Sequence, residues 1–480
     1  MKEKNNLDMP SSEFKEVGYK LIDWSADYLD NIEQHPVLPS IIPGEIKNKL
    51  PQEAPSEPEK FNEIIADLNN IILPGITHWQ HPKFMAYFAS TASGPGILAD
   101  IISSAFNVNG MVWKSSPALT ELEQTVLIWY RKMLGIPENF MGMIYDTASI
   151  SSFHALACAR EYLNLGIREK GMSGIPKLRV YCSEHAHSSI DKGALSLGIG
   201  LDGIRKIKCN SEFSMMIDEL KIAVEEDRNS GITPMCVVAT IGTTSSTGVD
   251  PVNEIAEFCN KENIWLHVDA AYAGVTAMLP ECKQFFNGWE KADSIVSNPH
   301  KWLFVPIDLS TLFIRKPEIL KRAFSLIPEY LKSNEDSQVE NYMDYGLQLG
   351  RRFRALKLWF VIRYFGVTGL RERIAEHIRI ANQFAKFVEA DDNFELLAPV
   401  SFSTVCFRAV VHEFDESQLN NFNEKLLSRI NSTGEFFLTH TKLNGVFTIR
   451  LVISGIRQEE RHILRAWEWI NDCYHHELNL

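Results

Sequence analysis

Ile264-Trp265-Leu266-His267-Val268-Asp269 is a short apolar run that ends on a carboxylate. A run of this length suits a buried strand, and the strand would stop at Asp269. Similar runs recur on either side: Met141-Gly142-Met143-Ile144-Tyr145, Arg179-Val180-Tyr181-Cys182, Cys236-Val237-Val238-Ala239-Thr240 and Ser294-Ile295-Val296. Segments with helical spacing, such as 152–164 and 252–260, lie between them. This alternation, from about residue 90 to 315, predicts an α/β unit with a mostly parallel sheet. Ligands of such sheets gather at the carboxyl ends of the strands.

Residues able to do chemistry recur at those ends: Thr147 to Ser149, His187, Thr243 and Thr244, Asp269, and then Lys301 in Asn298-Pro299-His300-Lys301-Trp302. A lysine in a partly apolar turn can hold an aldehyde as a Schiff base once burial destabilises its ammonium. A carboxylate at a strand's end can keep a pyridine nitrogen protonated, which makes the ring an electron sink. Together these are the requirements of a pyridoxal 5'-phosphate site. Thr147-Ala148-Ser149-Ile150-Ser151-Ser152 stands between a strand and a helix, where N–H groups and hydroxyls can converge on a phosphate. It has no glycine-rich run, so it is neither a Walker nor a dinucleotide fingerprint. His187 could stack its flat ring on a pyridine.

Taken singly, each feature also has an ordinary structural reading. The serines cap a helix, the hydroxyl-rich 240–250 segment is a turn, and His187 is a structural loop residue. Asp269 caps a helix or binds an arginine, and Lys301 sits at the surface. Their agreement across separate segments carries more weight than any one of them. Cys182, His185 and His187 lack a fourth ligand at a sensible spacing, so no metal is expected.

The net charge of −13, with no basic stripe, argues against nucleic-acid or anionic-membrane partners. No apolar run approaches the roughly 20 residues needed to span a bilayer. Residues 1–10 are polar, without a secretory apolar region, and the eight cysteines form no CxxC pair. A cytoplasmic chain with reduced thiols is therefore expected.

At 480 residues the chain predicts more than one unit. Phe14, Val17, Leu21 and Tyr28 fall at helical spacing, with Ser11 or Ser12 as the expected N-cap. A strap follows, carrying prolines 36, 39, 43, 51, 55 and 58, and helical spacing resumes over 61–72. Such a segment cannot bury itself alone and suggests docking on another chain or domain. Residues 330–344 are polar and predict a mobile loop. A long helix is expected over 350–366. Strand-like 403–407 and 447–452 with a final helix over 458–473 predict a small α+β domain. The expected divisions are 1–88, an N-terminal helical dimerisation segment; 89–370, a large cofactor-binding domain; and 371–480, a small C-terminal domain.

His267-Val268-Asp269-Ala270-Ala271-Tyr272-Ala273-Gly274 and Asn298-Pro299-His300-Lys301-Trp302 closely resemble the group II pyridoxal phosphate decarboxylases. Within that family the chain is most similar to the aromatic-L-amino-acid decarboxylases. Ala86-Tyr87-Phe88, the run Ser116–Glu123, Ala186-His187-Ser188-Ser189 and Leu349-Gly350-Arg351-Arg352-Phe353 extend the likeness, which covers about residues 12–475. The resemblance implies fold type I and a homodimer whose N-terminal helices wrap the partner. It makes Lys301 the Schiff-base lysine, Asp269 the pyridinium partner and His187 the stacking residue. Ala148, Ser149, Asn298 and His300 would bind phosphate, and Thr244 and Ala271 would line the ring. Trp79, Tyr87 and Phe88 match substrate-pocket positions. Met111 stands where a pocket phenylalanine is usual, and Ala89-Ser90 replaces a Pro-Thr step. Tyr342 matches the family's mobile-loop tyrosine, given to the other subunit's site to protonate the substrate carbon.

The implied activity is decarboxylation of an aromatic L-amino acid, such as tyrosine, phenylalanine, tryptophan or a hydroxylated form, to the arylalkylamine. Aldehyde synthases of the same family typically carry phenylalanine at the loop position, so tyrosine favours simple decarboxylation. The enzymatic alternatives are an aromatic acetaldehyde synthase, or another group II activity on glutamate, cysteine sulfinate or histidine. An acidic substrate would want a cationic pocket, and the Trp79–Phe88 neighbourhood shows none in the sequence. A binding protein derived from a dead enzyme would have lost the lysine, the aspartate or the tyrosine. Choosing among aromatic rings turns on one or two contacts worth roughly 1–3 kcal/mol each.

Overall fold

The computed structural model describes residues 8–326, 335 and 338–479. Its large sheet has seven strands: β1 (Met141–Tyr145), β2 (Leu178–Ser183), β3 (Ile204–Ile207), β4 (Thr233–Thr240), β5 (Trp265–Asp269), β6 (Ser294–Ser297) and β7 (Ser310–Ile314). Their spatial order is β1-β7-β6-β5-β4-β2-β3. Strands β6, β5, β4, β2 and β3 pair in parallel, and β7 is antiparallel to both its neighbours. The α/β architecture of fold type I is thus present, with one reversed strand.

Successive strand residues point to opposite faces, and the packing shows it. Ile144, Tyr181, Val237, Leu266, Ile295 and Phe313 pack on the side of the helices Pro117–Leu134 and Val252–Glu262. Met143, Val180, Val238, Trp265 and Leu312 pack on the side of the helix Ala148–Tyr162. Central strands covered on both faces become continuous apolar runs, which is why β4 and β5 were legible. Strands β3 and β7 were not anticipated. β3 lies at the sheet edge and carries Arg205 and Lys206, and β7 opens with Ser310 and Thr311.

A second, antiparallel sheet contains β8 (Phe394–Leu396), β9 (Thr404–Ala409), β10 (Thr439–Leu443) and β11 (Val446–Val452), in the order β10-β11-β9-β8. The helices Glu416–Ser432 and Glu460–Leu478 bury Leu426, Ile430, Ile463 and Ile470 in its core. The expected 350–366 helix begins at Ala355 and runs to Glu389, with a break at Gly366 (φ 66°, ψ 167°) that only a residue without Cβ enters freely. Packing continues across residue 370: Leu370 and Ile374 join the large core, while Ile380 and Phe384 join the small one. Met85 also joins the small core, donating its N–H to Phe437 O (2.9 Å) and accepting from Val452 N (3.0 Å).

The first helix is Ser11–Asp30, with Pro10 rather than a serine at its N-cap. Val17 is its one buried residue, and Phe14, Tyr19 and Ile22 are exposed.

Candidate active site

A cavity of about 170 Å³ opens at the carboxyl ends of β1, β2, β4, β5 and β6. Phe88, Thr147, Ala148, Ser149, His187, Thr244, Asp269, Ala271, Asn298, His300 and Lys301 all line it. Larger hollows lie elsewhere, including one of about 930 Å³ along the helices Glu416–Ser432 and Glu460–Leu478. They are open grooves without a comparable convergence of reactive groups, so the smaller cavity is the candidate site.

One end of the cavity is built for an anion. Thr147 caps the helix Ala148–Tyr162, and its carbonyl accepts the N–H groups of Ile150 (3.1 Å) and Ser151 (3.0 Å). The N–H groups of Ala148 and Ser149 precede the first helical hydrogen bonds and are left for a ligand at the positive helix end. His300 accepts the Leu309 N–H at Nδ1 (2.8 Å), so the neutral ring carries its proton on Nε2. Burial, reinforced by the Lys301 charge, holds its pKa down at about 3. Asn298 Nδ2 lies 3.5 Å from His300 Nε2, and Asn298 Oδ1 is buried without a partner among the described residues. A half-turn of the amide would give His300 an acceptor and aim the two Asn298 N–H donors the other way. The set then offers donors only, which fits a phosphate.

Asp269 and Lys301 occupy the rest of the cavity. Asp269 ends β5, where its carbonyl accepts the Ile241 N–H (2.9 Å) and its Oδ1 accepts the Ala271 N–H (3.1 Å). Lys301 follows Pro299 and His300 in a single turn of helix after β6. Burial lowers the Lys301 pKa, and the Asp269 charge opposes that shift from a distance rather than through a hydrogen bond. An amine so destabilised as a cation is a nucleophile for an aldehyde, and the separation leaves room between it and the carboxylate. His187 stands at the exposed side, where Ser189 N donates to its Nδ1 (3.1 Å). Desolvation lowers its pKa, Asp269 raises it and Lys301 lowers it further, which leaves a neutral, flat ring. The residues present therefore fit pyridoxal phosphate.

Of the expected substrate residues, Phe88 lines the cavity. Its ring stacks on Tyr272 (3.7 Å between centroids), and Lys301 Nζ lies 5.4 Å from its centroid. Trp79, Tyr87 and Met111 do not line the cavity of their own chain. Tyr87 has φ 51°, so its side chain leaves on the opposite side from Phe88, stacking on Trp79 (5.7 Å) and edge-on to Phe437 (5.6 Å). Met111 packs beside Val112 and Met343, and its carbonyl accepts the Met343 N–H (2.9 Å).

Arg450 was missed in the sequence. It is buried on β11, with its guanidinium carbon 5.6 Å from the Phe88 centroid. Nε donates to Ser245 O (2.9 Å) and Nη1 to Thr439 Oγ1 (3.0 Å), while Nη2 is buried without a partner among the described residues. No carboxylate neutralises it in the ion pairs of the described residues. The Phe88 neighbourhood thus has a cation after all, supplied by the second sheet some 360 residues later in the chain.

The placement expected for Tyr342 is corrected. Residues 330–334, 336 and 337 of the predicted loop lie outside the described residues, but Tyr342–Tyr345 form a buried 3-10 turn. Tyr342 is 2% exposed and packs in the core with Tyr145, away from the Lys301 cavity. Asn341 Oδ1 accepts the Trp113 N–H (2.9 Å), and Asp344 accepts from Ser325 Oγ (2.9 Å). Aromatic burial overrides the polar composition that suggested a mobile loop.

A family model described as the pyridoxal-dependent decarboxylase conserved domain matches residues 43–410. A tyrosine decarboxylase of Petroselinum crispum is 41% identical over 474 residues, covering 96% of this chain and 91% of the relative. A phenylacetaldehyde synthase of a Rosa hybrid cultivar is 39% identical, covering 96% and 93%. The crystal structure of Catharanthus roseus tryptophan decarboxylase with L-tryptophan superposes with a TM-score of 0.93 at 35% identity, covering 98% of this chain and all of that one. With the lysine, the carboxylate and the phosphate cradle in one cavity, the chain belongs to the pyridoxal-dependent decarboxylases.

Proposed function

We propose that this enzyme removes the α-carboxyl group of an aromatic L-amino acid and releases the arylalkylamine. The observation that carries the reading is the sharing of one cavity by Lys301, Asp269 and the Phe88 ring. Relatives named for tyrosine and tryptophan decarboxylation support the substrate class. Pyridoxal phosphate, when bound, supplies an electron sink for the bonding pair left as carbon dioxide departs. Lys301 Nζ would hold it covalently, the Ala148–Ser149 N–H groups and the Asn298 amide, fixed in place by His300, would hold its phosphate, and Asp269 would keep a proton on its ring nitrogen. His187, which lines the same cavity, would cover the cofactor ring and help orient the substrate against it. Phe88 excludes water and presents an aromatic face to the substrate side chain.

Carbon dioxide release and amine formation from tyrosine, phenylalanine and tryptophan, with glutamate as a control, test the proposal. Amine from an aromatic substrate is expected, and Lys301→Ala should remove both turnover and the cofactor's absorbance band. Faster turnover of glutamate, or an unchanged band in Lys301→Ala, would overturn it. The relationship to phenylacetaldehyde synthases favours one second reading, oxidative deamination coupled to decarboxylation. That reaction consumes dioxygen and water and yields aldehyde, carbon dioxide, ammonia and hydrogen peroxide, so assaying peroxide beside amine separates the two.

The working unit we infer is a homodimer. Phe14, Tyr19 and Ile22 on the first helix, and Leu98, Ile101 and Phe106 on the helix Gly94–Phe106, are exposed large apolar side chains of the kind that a second chain would cover. Trp79 and Tyr87, which face outward, would be available to a second chain. Sedimentation equilibrium at twice the chain mass is the expected result. We also infer a cytosolic location, supported by eight free cysteines and tested by fractionation.

A further inference from the structure

The loop that leaves β2 carries a second cluster of reactive groups, outside the Lys301 cavity. Glu184, His185 and Cys209 each present one ligating atom, and the three atoms lie within 4.8 Å of one another. Glu184 and His185 follow β2, whereas Cys209 follows β3, the neighbouring parallel strand. The backbone holds the two loops together: Glu184 N donates to Ile207 O (3.0 Å), and Cys209 N donates to Glu184 Oε1 (3.0 Å). The Asn210 side chain closes the turn beyond Cys209 by accepting N–H groups from Glu212 (2.9 Å) and Ser214 (3.0 Å). Phe213 packs edge-on against the His185 ring (5.3 Å) and limits its rotation. His185 Nε2 is buried and has no hydrogen-bond partner among the described residues.

We propose that Glu184, His185 and Cys209 form a binding site for a divalent metal ion of borderline softness, with Zn²⁺ the best fit. A thiolate, an imidazole and a carboxylate are a three-ligand zinc set that leaves the fourth tetrahedral position to water. With bonds of about 2.0–2.3 Å, tetrahedral ligand atoms stand about 3.3–3.8 Å apart, so the cluster needs to contract by roughly an ångström. Binding breaks the Cys209 Sγ–H bond, forms the Sγ–metal bond and releases the proton to solvent, so affinity rises with pH. The hard ions Mg²⁺ and Ca²⁺ prefer all-oxygen shells and are poor matches. The metal would also tether the loop two residues before His187 and link it to β3.

The test uses the cofactor-loaded full chain, first cleared of metal with a chelator and then titrated with Co²⁺ as a spectroscopic probe. One Co²⁺ per chain is expected, with a thiolate-to-cobalt absorption band that Zn²⁺ displaces and Mg²⁺ does not. Cys209→Ser should abolish that band, and His185→Gln should weaken Zn²⁺ binding at least tenfold, while Cys182→Ser should leave both unchanged. Cys182 serves as the control because it is buried against Lys206 (3.5 Å) rather than in the cluster. No stoichiometric metal in the wild-type chain, or unchanged binding in His185→Gln, would overturn the proposal. If Cys209→Ser does not fold, the wild-type cobalt spectrum and His185→Gln decide. None of these readouts depends on the decarboxylation reaction.

Discussion

The Arg351 guanidinium carbon sits 4.5 Å from the centroid of the Tyr342 ring, and Arg351 Nη2 pairs with Glu123 Oε1 at 2.6 Å in the interior. Tyr342 is therefore part of a buried packing unit in its own chain. To serve a neighbouring subunit it would have to leave that unit and strip a cation of its aromatic cover, a contact worth about 2 kcal/mol when desolvated.

Tyr342→Ala should accordingly destabilise the fold by about 3–5 kcal/mol, the usual cost of deleting a buried ring, measured by denaturant unfolding. Tyr342→Phe keeps the ring and should leave the amine-to-aldehyde ratio as it was. Tyr330 is the other tyrosine of the 330–344 stretch and lies outside the described residues. We expect the proton-donor role to fall to it, so Tyr330→Phe should raise the aldehyde share. A Tyr342→Phe enzyme that turns to aldehyde would return the role to Tyr342.

Asp269→Asn removes the charge that would hold a proton on the cofactor's ring nitrogen while leaving a side chain of the same shape. Turnover should fall by about a hundredfold or more, since general acid–base and charge-stabilising groups typically contribute 10²–10⁴. Bound cofactor, measured by absorbance, should persist because Lys301 is untouched. Full activity in this variant would remove Asp269 from the chemistry.

Arg450→Met keeps much of the buried volume but removes the cation beside Phe88. If Arg450 receives the substrate's carboxylate, kcat/KM should drop at least tenfold across all aromatic substrates alike. A change confined to thermal stability would make Arg450 a domain-packing residue that joins β11 to the Ser245 loop.

Acid should unfold this protein through its interior histidines. Burial holds His154, His267 and His377 at about 4 and His300 at about 3, against about 6.5 for a free histidine. Between about pH 6 and 4.5 the unfolded chain carries protons that these folded rings refuse, so their stabilising contribution is present above pH 6.5 and is lost as pH falls. Asp250 acts in the opposite sense, because burial raises its carboxyl to about 7 and its contribution declines as pH rises toward that value. The buried His78 and His81 are also held at about 4, so six histidines stand against one aspartate and unfolding takes up protons on balance across this range. Tm measured from pH 7 to 4.5 should therefore fall steeply, and a flat profile would contradict the assignment.

The β1 strand was legible to the residue, and β4, β5 and β6 to within a few, because doubly covered strands concentrate apolar residues in short runs. The placement of His187, Asp269 and Lys301 in one cavity also followed from chain order, since parallel strands bring all their carboxyl ends to one edge. β3 was obscured by its charged edge residues, and the polar composition of 330–344 hid the buried Tyr342–Tyr345 turn.

The amino-acid sequence alone determined the local periodicities, the sheet they build and the chemistry at its carboxyl edge, for these depend on neighbours in the chain. Tertiary structure alone decided that Arg450 reaches Phe88, that Cys209 meets His185 and that Tyr342 lies under Arg351. Each of those contacts joins separate elements whose apposition depends on how sheets and helices pack. No periodicity along the chain encodes that distance.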